Sequence, residues 1–182
     1  MTDPKMTKTT PPPAETAFEP FVVIDEVAVP LAVAWAAHTQ IDQVTQWFGS
    51  AGTEVVHAEM DLREGGSFHY CLRTSEGDEM WGKQRYLEVV PLQKLVFLQS
   101  FSDKDGAVKR HPAATTWPLE TLAVTTFEDV DGETTKLTVS WAPHNASAEE
   151  QSTFEQAREG MAHGFDGMFD RLEDFLFGDE DD

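Results

Sequence analysis

The spacing of apolar residues along this chain changes character twice. FVVIDEVAV, residues 21 to 29, is a β-rich run stopped by Pro30, and LAVAWAAH beyond that proline has helical composition. IDQVTQWF then sets Ile41, Val44, Trp47 and Phe48 at helical spacing, with Gly49 and Gly52 closing the segment. From Thr53 the period drops to about two. TEVVHAEMDL, GSFHYCLR, EMWGKQRYLEVV, KLVFLQSF, LETLAVTTFE and TTKLTVSW follow one another, separated by EGG, SEGD, VPLQ, the long SDKDGAVKRHPAATTWP and DVDG. With the first run this predicts about seven strands, and short turns between strands predict antiparallel pairing. The helical period returns at Ser147, a good N-cap with Glu149 and Glu150 in the first turn. Phe154, Ala157, Met161, Phe165, Met168, Leu172 and Phe175 form one stripe on a predicted helix of about 30 residues.

One long apolar stripe after an antiparallel sheet must be buried against that sheet. The expected fold is therefore α+β of the helix-grip type: a curved antiparallel sheet of six to seven strands wrapped around a long C-terminal helix, with two short helices after the first strand. Such a sheet commonly leaves a cavity under the helix. Gly160, Gly164 and Gly167 line one flank of the stripe, and each costs about 1 kcal/mol in a helix relative to alanine. Close packing of helix on sheet, or room for a ligand between them, would offset that cost.

Residues 1 to 18 carry Thr, Pro and Lys with almost nothing to bury, which predicts a flexible leader. A single domain over 19 to 178 and an acidic tail over 179 to 182 complete the expected organisation. The formal charge of −20 argues against nucleic acid or an anionic membrane as partner. From Asn145 onward there are twelve acidic residues and only Arg158 and Arg171, a pattern that suits a solvated helix face or a surface that docks on a basic protein. Cys71 is the only cysteine, so no internal disulfide can form and a reducing compartment fits. With no signal-type run and no apolar stretch of about 18 residues, the expected location is the cytoplasm. A homodimer is compatible with the sequence.

Several positions, taken in order, carry a family resemblance: Trp35; Trp47-Phe48; Asp61, Arg63, Gly65, Gly66 and Phe68; Trp81-Gly82; Glu88 and Pro91; Trp117-Pro118; Thr126-Phe127-Glu128; and Gly164-Phe165 with Leu172. Over residues 21 to 177 the chain resembles the START-like, or SRPBCC, superfamily. Within it the likeness is greatest to the bacterial branch related to the C-terminal domain of the activator of the 90-kilodalton heat-shock-chaperone ATPase. The resemblance implies a grip cavity for lipids, hormones, polyketides or other apolar molecules, and in some members cyclisation or hydrolysis there. Eukaryotic activators also carry an N-terminal chaperone-binding domain, for which the 20 residues before Phe21 are expected to leave no space. The segment from Ser102 to Pro118 resembles loops that cover a cavity mouth, whereas the leader and the DEDD tail depart from the family pattern.

The leading expectation is a protein that binds a small apolar or amphipathic ligand, without catalysis or cofactor. Its predicted wall residues are Trp47, Phe68, Tyr70, Trp81, Phe101, Trp117, Met161 and Phe165, with Trp81 and Trp117 preferred for their indole N–H. Asp61 and Arg63, two apart, are expected to pair as an anchor before Gly65-Gly66, or to present Arg63 to a ligand carboxylate. Gly65-Gly66 opens a strand rather than a helix, so it is not a phosphate loop. The six histidines show no H-x-x-x-H or H-E-x-x-H spacing, and no metal is expected. One alternative is a small cyclase or hydrolase using His38 or His69 with Asp61 or Glu88. The other is an interaction module that docks on a chaperone.

Overall fold

The computed structural model describes residues 18–178. The expected leader and acidic tail therefore lie outside the described residues, except Phe18, whose ring meets Phe154 edge-on at 5.6 Å beneath the Arg158 guanidinium.

The chain runs β1 (Phe21–Val27), α1 (Leu31–Thr39), α2 (Ile41–Trp47), β2 (Thr53–Met60), β3 (Ser67–Thr74), β4 (Glu79–Val90), β5 (Lys94–Ser102), β6 (Val108–Lys109), β7 (Glu120–Asp129), β8 (Thr135–His144), α3 (Ala148–Gln156) and α4 (Arg158–Phe177). All pairings are antiparallel, and the sheet order is β1-β8-β7-β5-β4-β3-β2, with β6 paired to β5. This is the expected helix-grip fold. The strand beyond the expected seven is β6, two residues inside the 102–118 insertion and too short to leave a period in the sequence.

The predicted 30-residue helix is two helices. Ser147 does cap the first, in a reciprocal capping box with Glu150. The break falls at Ala157, whose N–H is shared between the carbonyls of Phe154 and Glu155. Anchors on its two sides differ: Phe154 is fully buried against Trp117 and Trp141, while Arg158 ties back to Glu155 and to the Glu19 carbonyl. The apolar stripe continues through the bend, which is why its spacing alone conceals it.

Cross-strand register decides which residues face α4. Val23, Val139, Thr125 and Leu95 form one row across the sheet, and Phe21, Trp141, Ala123, Phe97 and Tyr86 another. Residues of one row share a face, because side chains alternate along each strand. Two bulges adjust that alternation. In β2 the register shifts between Val55 and His57, so Val55, Ala58 and Met60 face inward while His57 and Glu59 face outward. In β4 a similar shift lies between Tyr86 and Glu88.

The main core joins Ala34, Ala37, Trp47, Phe127, Leu137, Phe169 and Leu172, sealing α1 and α4 against β7 and β8. A second cluster of Val44, Phe68, Tyr70, Leu72 and Tyr86 lies under α2. Among the described residues, Asp25 Oδ2 is buried without a partner, facing Asp166 and Asp170 of α4. Burial first, and then those like charges, raise its pKa. The three glycines of α4 do not pack on the sheet. A methyl placed on Gly160, Gly164 or Gly167 would meet nothing within 4 Å.

Candidate functional site

Between the concave face and α4 lies a cavity of about 430 Å³. Its walls are Phe68 and Tyr70 of β3, Gln84 and Tyr86 of β4, Phe97, Gln99 and Phe101 of β5, Thr121 and Ala123 of β7, and Trp141 of β8. Phe165, Met168 and Phe169 of α4 close it, and His111 and Trp117 reach in from the insertion. Among the described residues, no Asp, Glu, Lys or Arg lines it. A carboxylate or ammonium brought here from water would lose hydration without gaining a counter-ion.

A short polar strip crosses the floor. Gln99 Nε2 donates to the Tyr70 hydroxyl, leaving the phenol proton free to be donated onward, and Trp141 Nε1 donates to Thr121 Oγ1. Burial pushes the Tyr70 phenol up to about 12, so it stays protonated at neutral pH. Tyr70 is seated by Gly82, its partner across the β3–β4 ladder: a methyl on Gly82 would lie 2.5 Å from Tyr70 Cζ. The Trp81-Gly82 pair owes its glycine to that ring.

His38 also meets the cavity, between the rings of Trp47 at 4.9 Å and Phe127 at 5.1 Å. Desolvation lowers its pKa to about 4, against a smaller opposing effect of the bond from Nδ1–H to the Ala34 carbonyl. It is a neutral imidazole at physiological pH, and no carboxylate faces it in the lining. His111 packs on Phe101 at 4.6 Å, and its Nδ1 accepts the N–H groups of Ala113 and Ala114, so the proton of the neutral ring sits on Nε2.

Of the predicted wall residues, Trp47, Phe68, Tyr70, Phe101, Trp117 and Phe165 line the cavity together. Met161 does not: it is buried in α4 outside the lining. Trp81 borders the cavity, but its ring stacks on His57 and His69 at 5.1 Å each, on the convex face with its register partner Cys71. The indole N–H on the cavity floor is that of Trp141, and it is taken up by Thr121 Oγ1. Asp61 and Arg63 do pair, Nε to Oδ2 at 2.7 Å, yet both are exposed and neither reaches the cavity. Exposed pairs of this kind hold a turn weakly. What fixes it is backbone: Asp61 N–H bonds Ser67, Gly66 N–H bonds Arg63, and a side chain at Gly66 would collide with the Asp61 carbonyl. Glu88 is taken up by Lys94 at 2.9 Å, His69 lies on the convex face, and His38 meets neither Asp61 nor Glu88 in the lining, so none of the four alternative acid–base pairs is assembled in the cavity.

Gln99, Thr121, Trp141 and His111 were missed, whereas His38 was expected only as a catalytic acid or base and lies in the wall. Gln99 had a visible signal, since Phe97, Gln99 and Phe101 alternate on one face and a lone glutamine between aromatics marks a polar point in an apolar wall. Outside the cavity, among the described residues, His57, Glu59 and His69 gather ligand-type atoms within 4.8 Å of one another.

The family model described as Activator of Hsp90 ATPase homolog 1-like protein matches residues 28–176. The chain belongs to this family. Solved structures similar to it include a Mycobacterium smegmatis protein at 21% identity, covering 91% of this chain and 94% of that one with a TM-score of 0.72. A Nitrosomonas europaea protein matches at 22% identity, over 88% and 96%, with a TM-score of 0.69. The AHSA1 protein of Silicibacter pomeroyi matches at 17% identity, over 87% and 97%, with a TM-score of 0.66. At such identities the likeness establishes the fold alone, the helix-grip described above. No curated protein matches the chain. Among its described helices, none is long and apolar enough to cross a membrane.

Proposed function

We propose that this Activator of Hsp90 ATPase homolog 1-like protein binds an uncharged, mainly apolar small molecule in the cavity beneath α4 and performs no chemistry on it. The observation that carries this reading is a cavity of about 430 Å³ whose wall, among the described residues, holds no charged side chain. Pockets for small ligands have this size, apolar walls and few polar anchors. The anchor here is the Tyr70 hydroxyl, held by Gln99 and able to donate to a carbonyl, ether or hydroxyl oxygen of the guest. His38, neutral and hemmed in by rings, adds wall rather than base.

The experiment is titration with a neutral fluorescent apolar probe, alongside native mass spectrometry of freshly purified protein for a carried-over guest. Saturable one-to-one binding is expected, weakened about tenfold by Phe165→Ala through lost contact. Ala123→Phe, which fills the cavity, is expected to abolish it with the fold intact by circular dichroism. Probe binding that survives Ala123→Phe unchanged would place the guest elsewhere and overturn the proposal.

A further inference from the structure

The convex face carries a second group of side chains that the cavity does not use. Across β2, β3 and β4 the register sets His57, Cys71 and Trp81 in one row, and Glu59, His69 and Lys83 in the next. The β2 bulge creates this arrangement. Without that bulge, strict alternation from Val55 would turn the side chains at 57 and 59 inward, where both would be buried as unpaired polar groups.

We propose that His57, Glu59 and His69 form a binding site for a borderline divalent transition cation of the zinc class. Their ligand-type atoms lie within 4.8 Å of one another, and His57 Nε2 stands 3.7 Å from Glu59 Oε1. Ligands at about 2.0–2.2 Å from a tetrahedral ion are about 3.3–3.6 Å apart, so side-chain rotations that shorten the longest spacing by up to about 1.5 Å close the set. Two imidazoles and one carboxylate suit Zn²⁺, Co²⁺, Ni²⁺ or Cu²⁺, whereas Mg²⁺ and Ca²⁺ require oxygen donors. Three protein ligands leave a position for water.

The surroundings hold two of the donors in place. Trp81 stacks on both imidazoles at 5.1 Å, restricting their rotation and shielding one side from solvent. His69 is buried, and its Nε2 lies 3.1 Å from the Asp103 carbonyl, a bond that fixes which ring nitrogen keeps a lone pair. Lys83 is the one cation in these two rows; its ammonium donates to the carbonyl of Gly106, which also borders the His69 ring, at 3.2 Å. The chain's net charge of −20 favours any cation at its surface. Glu59 and His57 keep 73% and 36% of their side chains exposed, so an ion can reach them. A bound ion would tie the edge strand β2 to β3 on the face opposite the cavity.

The test uses the full-length, untagged chain, with Zn²⁺ followed by calorimetry and Cu²⁺ by tryptophan fluorescence. One equivalent of Zn²⁺ is expected to bind and to raise Tm with rising concentration, while Mg²⁺ and Ca²⁺ at equal concentration do not. His57→Ala and Glu59→Gln are each expected to weaken Zn²⁺ at least about tenfold, and His163→Ala, on the exposed face of α4, to leave it unchanged. Both substitutions fall on exposed positions of an edge strand, and Glu59→Gln keeps the side chain's shape, so folding is preserved. Cu²⁺ is expected to quench fluorescence in the native chain and much less in Trp81→Phe. Zn²⁺ affinity unchanged in both variants would assign binding to the acidic surface and overturn the proposal, as would equal Tm shifts with Mg²⁺.

Discussion

Gly82→Ala puts the seat of Tyr70 to a quantitative test. In a strand, alanine is ordinarily favoured over glycine by about 0.5–1 kcal/mol, because glycine loses more backbone freedom on folding. Here the added methyl would lie 2.5 Å from Tyr70 Cζ and 2.8 Å from Cε2, and Gly82 is buried in the middle of β4. The phenol must swing away from β4 into the cavity. Such overpacking costs about 1–3 kcal/mol, and loss of the Gln99–Tyr70 hydrogen bond costs about 1 kcal/mol more. Set against the backbone gain, the net is destabilisation of about 2 kcal/mol. Urea denaturation of Gly82→Ala, Tyr70→Leu and the double variant forms a cycle. In the Tyr70→Leu background the flat ring is gone, and Gly82→Ala is expected to be neutral or stabilising. The displaced phenol should also reduce affinity for an apolar probe in the single variant. Equal costs for Gly82→Ala in both backgrounds would refute the claim that Tyr70 is what requires glycine at 82.

Two further outcomes follow from buried or open space. His38, with a folded-state pKa of about 4 against 6.5 for the free side chain, takes up no proton in the window where the unfolded chain does. Stability is therefore fully present above pH 6.5 and falls as pH drops towards 4, by up to about 3 kcal/mol. Denaturant melts of His38→Gln should show a flatter profile across that window, and a profile identical to the native chain's would remove His38 as the cause. Gly164→Ala, placed where a methyl meets nothing within 4 Å, is expected to stabilise α4 by about 1 kcal/mol with probe binding unchanged; destabilisation would reveal a contact that requires glycine.

Periodicity made most of the architecture legible, for a physical reason. β2, β4, β5, β7 and β8 are half-buried strands whose alternation is written in residues such as Phe97, Gln99 and Phe101, and the stripe from Phe154 to Phe175 could only be a helix. What stayed hidden is what periodicity does not encode. The bend at Ala157 leaves the stripe in phase. β6 is two residues long. Facing across strands also escaped: Trp81 follows the same alternation as any wall residue, and only its pairing with Cys71 assigns the indole to the convex face. The histidines were tested against helical spacings, although a strand sets ligands two apart. His57 and Glu59 satisfy that rule, and His69 joins them through register, which no single segment displays.

The dipeptide Trp81-Gly82 links the two faces of the sheet. Its first residue projects outward and packs on His57 and His69; its second has no side chain, and that absence admits Tyr70 to the cavity floor. β3, between β2 and β4, is accordingly buried on both sides, from Phe68 to Leu72 without interruption. Order imposed on the convex side, whether by the Trp81 stack alone or with a bound ion, limits the motion of the backbone at Gly82. The position of the Tyr70 hydroxyl depends on that backbone. The donor offered to a guest in the cavity is thus set by packing on the opposite surface, and Trp81→Ala should weaken probe binding although the Trp81 ring packs on the convex face.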